Sequence, residues 1–114
     1  MKRCFILEPT KLDTSLVEDF GERVWLFDGN ERPSIFEHDF DEAVLRRIEQ
    51  FKYNPDEDFF VIAGDIAAVS RAMSALGQYF DGCFDLLIWD ASNRVYKPLI
   101  WAEHNNEENT TRNV

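Results

Sequence analysis

Basic side chains are in short supply. Lys and Arg number 12 against 22 Asp plus Glu in 114 residues, which leaves a net charge of −10 and a pI near 4.5. A surface of that sign repels nucleic acid and anionic membranes and attracts cationic partners. It equally suits a protein that charge merely keeps soluble. Cysteine is nearly absent. Cys4 and Cys83 are far apart, each inside an apolar run, with no His beside either. That excludes a disulfide scaffold and gives no zinc spacing, although one bridge between the two stays open. No apolar run approaches about 18 residues, so no spanning helix is expected. No basic-then-apolar leader opens the chain, and the sequence reads as soluble and cytoplasmic.

What is present is core-forming material. Hydrophobic residues make up 45 % and aromatics 14 %, with 10 Phe and 3 Trp, the composition of a folded domain. The length suits one domain, expected over residues 1–102, followed by a polar, Asn-rich tail over 103–114 that reads as disordered. "RCFILEP" (3–9) and "RVWLFDGN" (23–30) read as strands around a short helix whose apolar face is Leu16, Val17 and Phe20. "DFDEAVLRRIEQFKY" carries Phe40, Val44, Leu45, Ile48 and Phe51 at helical spacing, with Asp39 or Asp41 as its cap and acids in its first turn. "FFVIAG" (59–64) is apolar throughout, as in a sheet covered on both faces. A helix capped by Asp65 runs from there to about Tyr79, and "FDLLIWD" and "VYKPLIW" form a hairpin across "ASNR". Pro98 cannot donate to a ladder, which assigns the last strand to an edge. The order predicts a three-layer α/β domain: a mainly parallel sheet of about five strands, helices on both faces, and a C-terminal antiparallel hairpin at the edge.

Catalytic patterns are missing. His38 and His104 have no nucleophile at a recognised spacing, and Ser70 and Ser74 fall inside a helix. The junction "AGDIAAVS" has the strand–turn–helix form that binds phosphate in many α/β proteins. It offers one Gly followed by an acid, and an Asp at the cap accepts the N–H groups that a phosphate would use. Glu8, Asp28, Asp65 and Asp90 each follow a strand and would share one rim, where convergent carboxylates can hold Mg²⁺. The plainer reading makes them caps and turn openers, and no cofactor is expected. Trp89 is expected in the core, with Trp101 divided between core and interface.

"NPDEDFFVIAGD", followed about 20 residues later by "FDLLIWDASNRVYKPL", resembles a loose family of small bacteriophage accessory proteins that share a "P..D...V/A.TG" element, a helix, and then "LL.(F/W)D....Y". The similarity spans residues 54–99, with Ala63 where Thr is usual. The resemblance implies a phage origin, hence the host cytoplasm as location, and it assigns no catalytic residue.

The residues therefore point to a small acidic non-enzymatic protein that binds and modulates or inhibits a host protein at a basic, nucleic-acid-binding surface. It would not contact nucleic acid or membrane directly. The expected partner-binding set is Glu37, Asp39, Asp41, Asp56, Glu57, Asp58 and Trp101. Two alternatives stand beside it. One is a nucleotide- or Mg-dependent phosphoryl enzyme or binder using Gly64, Asp65, Asp28 and Asp90 at the carboxyl rim of the strands. The other is a homodimer joined through the edge hairpin, Val95 to Trp101.

Overall fold

The structure, a computed structural model, describes residues 2–29 and 31–100; Trp101 and the tail expected over 103–114 lie outside the described residues. In chain order the elements are β1 (Arg3–Ile6), a 3-10 helix (Ser15–Asp19), β2 (Glu22–Trp25), α1 (Phe40–Gln50), β3 (Phe59–Val61), α2 (Ile66–Tyr79), β4 (Asp85–Asp90) and β5 (Val95–Leu99). The strands form one sheet in the order β2-β1-β3-β4-β5. The first four are parallel and β5 is antiparallel to β4. This is the expected mainly parallel α/β sheet with an antiparallel hairpin at its edge.

The covering elements are distributed by handedness. Right-handed crossovers that move the chain opposite ways along a sheet must pass over opposite faces. The step from β1 to β2 goes one way, while β2 to β3 and β3 to β4 both go the other. α1 and α2 therefore share a face, over Phe5, Leu7 and Phe60. The second face, built on Cys4, Ile6, Phe59, Val61 and Leu87, is covered by Val17 of the 3-10 helix. Both faces have a helix, but the cover is unequal. Alternate residues of β1 and β3 serve opposite cores, which is why those strands read as unbroken apolar runs.

Phe40, Val44 and Ile48 are the buried stripe of α1, with Leu45 and Phe51 half-buried beside it. Ala68, Ala72, Ala75 and Leu76 line the buried side of α2. Phe5 is fully buried and meets Phe51 and Tyr53 edge-on or tilted. Truncating such a side chain to Ala costs about 3–5 kcal/mol, because lost transfer energy and a new cavity add. β3 stops three residues short of the apolar run's end. Ala63 N donates back to Val61 O at 3.1 Å, a three-residue turn, and Gly64 follows at φ +113°, where a side chain would be strained.

The caps separate the two helices. Asp65 has extended backbone and accepts from Ala67 N at 2.9 Å, as expected of an N-cap. Asp39 precedes α1 but makes no side-chain cap bond. Its ψ of 11° departs from the extended geometry that aims a cap carboxylate at the helix's free N–H groups. Asp41 pairs instead with Arg71 of α2 at 3.1 Å.

Candidate functional site

The acidic loop before β3 is the first place to look. Asn54 Oδ1 accepts from Asp56 N at 2.9 Å, and Asn54 O accepts from Asp58 N at 2.8 Å. That closes "NPDED" into a tight turn with Asp56 and Glu57 exposed on its outside. Asp58 points inward. It is 1 % exposed, and its carboxylate accepts from Arg3 N at 3.1 Å, Arg3 Nη2 at 2.9 Å and Asn54 N at 2.8 Å. The expected surface row thus loses Asp58, which ties the loop to β1 and offers no face to a partner.

Glu37, Asp39 and Asp41 are exposed, but at the other end of α1. From Asp41 to the end of α1 nine more helical residues follow, about 14 Å at 1.5 Å per residue. The runs therefore occupy opposite rims of the sheet, and Asp41 is committed to Arg71. Trp101 lies outside the described residues.

The strand register gathers a different set. Arg3 pairs with Glu22, Cys4 with Phe59, and Phe59 with Asp85, so the beginnings of β1 to β4 line up along one edge of the sheet. Asp19 at the end of the 3-10 helix, Glu22 at the first position of β2, and Asp56, Glu57 and Asp81 in the loops before β3 and β4, all exposed, sit at or near those beginnings. Lys2 and Lys52 are the basic residues among them. Four strands span about 14 Å at 4.8 Å per step, the width of a modest protein contact. Asp19, Glu22 and Asp81 were missed by the sequence reading. Each sits just before or at the start of a parallel strand, a signal that becomes usable once the strands are known to be parallel.

At the opposite, carboxyl rim the four strand-end acids do not converge. Glu8 pairs with Arg32 at 2.8 Å, and Asp65 caps α2. Asp90 is bound by Lys97 at 2.7 Å and by Asn93 Nδ2 at 2.7 Å, and it also accepts from Ser92 N and Asn93 N. Lys97 and Asn93 hold its carboxyl well below the usual range. Asp28 is exposed. Among the described residues no group of three or more His, Cys, Asp or Glu could hold a metal ion.

The thiols are free, Cys4 buried and Cys83 partly so. Burial, with a lesser push from Asp58, raises the Cys4 thiol to about 12, so it is a packed thiol rather than a nucleophile at neutral pH. Trp89 corrects an expectation. It is 41 % exposed, and it is Tyr96, at 5 %, that enters the core. The two rings meet edge-to-face at 5.1 Å. Below Trp89, the loop after β1 and the β4–β5 turn bound a cleft of about 610 Å³ at the carboxyl rim. The sequence reading did not find it, because Leu16 reads as part of a buried helix face until the 3-10 helix is seen to bury only Val17.

Taken together, these features define a small acidic α/β domain with charged rims, in which Glu8, Asp65 and Asp90 at the strand ends are engaged. Over residues 6–102 the chain matches the model of the phage Pam3 gp32-like protein family. It belongs to that family and is a phage protein; the family is not known as one of enzymes. No curated protein and no solved structure shows a significant match to it. Among the described residues no helix is long and apolar enough to cross a membrane.

Proposed function

We propose that this phage protein acts by binding rather than by catalysis, docking its acidic amino rim on a basic surface of a host protein and so modulating it. The supporting observation is the register that brings Asp19, Glu22, Asp56, Glu57 and Asp81 to one rim. Charge of one sign across such a rim speeds encounter with a cationic partner and makes the complex salt-sensitive. The engaged state of Glu8, Asp65 and Asp90 counts against the Mg-nucleotide alternative, since each carboxylate already has its donors.

The test is capture from nuclease-treated host lysate, with elution by a salt gradient and identification by mass spectrometry. The wild-type chain is compared with Asp56→Lys/Glu57→Lys and with Glu37→Lys/Asp39→Lys. A single basic protein is expected to elute sharply from the wild type and from the second variant, and to be lost with the first. Equal retention by all three, or retention of nothing, would sink the reading.

A second reading has its own support. β5 is the last strand in the order, and Val95 and Leu99 beside Ile88 are exposed there. An unpaired strand edge with apolar side chains is suited to pairing with another copy. Light scattering that gives the monomer mass at every concentration would remove it.

A further inference from the structure

The carboxyl-rim cleft carries a proposal that stands apart from the acidic rim. It is lined by Leu12 and Leu16 from the loop and 3-10 helix after β1, Ile62 after β3, and Trp89, Arg94 and Tyr96 from the hairpin. Leu12 is 60 % exposed, Leu16 44 % and Trp89 41 %. Large apolar side chains that converge yet remain open mark a binding surface more often than scattered ones do. The volume falls within the range of small-molecule sites, and in open α/β sheets ligands lie beyond the carboxyl ends of the strands.

Arg94 supplies the second observation. Arg3, Arg23, Arg32, Arg46, Arg47 and Arg71 each form an ion pair. Arg94 is the one arginine among the described residues whose guanidinium has no acid partner, in a protein with a large acid excess. The backbone that carries it is fixed. Its N–H donates to Asp90 O at 2.8 Å, and the Asp90 carboxylate ties down the rest of the turn through Ser92 and Asn93. Its φ of 56° belongs to Gly or Asn by preference, so a long cationic side chain stands where a smaller residue would strain less. Asp13, the acid in the cleft, already accepts from Ser15 N at 2.9 Å.

We infer that this cleft binds a small, flat, mostly apolar molecule bearing one anionic group. The ring system packs between Leu16 and the exposed face of Trp89, and the anion meets the Arg94 guanidinium. The leucines and the indole contribute apolar area, and the charge-assisted contact selects an anion over its neutral counterpart.

The test uses two fluorescent probes of nearly the same shape, 8-anilinonaphthalene-1-sulfonate and the uncharged N-phenyl-1-naphthylamine, titrated into the full chain. Variants are Arg94→Gln, Arg94→Lys, Trp89→Ala and, as an exposed apolar control outside the cleft lining, Phe36→Ser. Both probes should bind the wild type. Arg94→Gln should weaken the sulfonate about tenfold and leave the neutral probe unchanged, with Arg94→Lys in between. Trp89→Ala should weaken both, and Phe36→Ser neither. The proposal is overturned if Arg94→Gln leaves sulfonate affinity intact or weakens both probes alike, or if Phe36→Ser acts as strongly as Trp89→Ala. It is also overturned if sedimentation shows a dimer that the sulfonate dissociates, which would assign the cleft to a second copy. The arginine variants remain informative even if Trp89→Ala fails to fold, because Arg94 is exposed in the turn.

Discussion

Substituting Asp58 by Ala tests whether this acid belongs to the interior or to a partner surface. The carboxylate accepts from two backbone N–H groups, of Arg3 and Asn54, and from the Arg3 guanidinium. Removing it strands both amides, at about 1–3 kcal/mol each where buried. Arg3 keeps its bonds to Phe51 O at 2.7 Å and Lys52 O at 2.8 Å, and its side chain is 27 % exposed, so water offsets part of the loss. The expected cost is about 3 kcal/mol, the lower end for breaking a buried pair. For a chain of this size that lowers the melting temperature by about 12 °C. Glu57→Ala, one residue away and exposed, should change stability by less than about 0.5 kcal/mol. Thermal melts followed by circular dichroism compare the two directly. If both variants melt within about 2 °C of each other, the anchoring role of Asp58 is wrong and it returns to the candidate surface.

Two glycines should respond with opposite signs. A Cβ on Gly21 would lie 2.5 Å from Lys2 O, a backbone atom, so Gly21→Ala should cost about 1–3 kcal/mol by forcing β1 and β2 apart. Gly77, inside α2, has nothing within 4 Å of such an atom, and Gly77→Ala should stabilise by about 0.5–1 kcal/mol in denaturant melts. The native chain should yield at most one thiol to Ellman's reagent, that of Cys83, with Cys4 appearing only on unfolding. The Cys4 thiol is raised from 9.0 to about 12 by burial, so its contribution is complete below pH 9 and is lost as pH rises toward 12. Burial raises the Tyr53 hydroxyl too and adds to the same alkaline loss. Melts from pH 8 to 11 should show that decline, with a shallower start in Cys4→Ala.

The parts of the fold legible in the sequence are those fixed by local chemistry. The stripe Phe40, Val44, Ile48 marks α1, Asp65 marks the start of α2, and Pro98 marks the edge strand. Each rests on a preference acting within a few residues. Asp58 shows where that stops. Nothing in "NPDED" tells which acid turns inward, because the choice is made by Arg3, 55 positions away. The separation of the two acidic runs and the gathering of Glu22 with Asp56 and Asp81 likewise depend on strand order and register. Trp89 faces Tyr96 across the hairpin, so both rings lie on one face of the sheet; that Trp89 stays exposed there depends on how far the 3-10 helix covers the face, and of that helix only Val17 is buried.

The reversal of β5 has a practical consequence for anything joined to the fold. Lys2 leads into β1 at the amino rim, and because β5 runs back against β4 the described chain leaves at Ile100 on that same rim. Three strand spacings, about 14 Å, separate β1 from β5. A label attached at Lys2 or at Ile100 would therefore sit on the side that carries Asp56 and Glu57, while the cleft below Trp89 lies at the opposite rim.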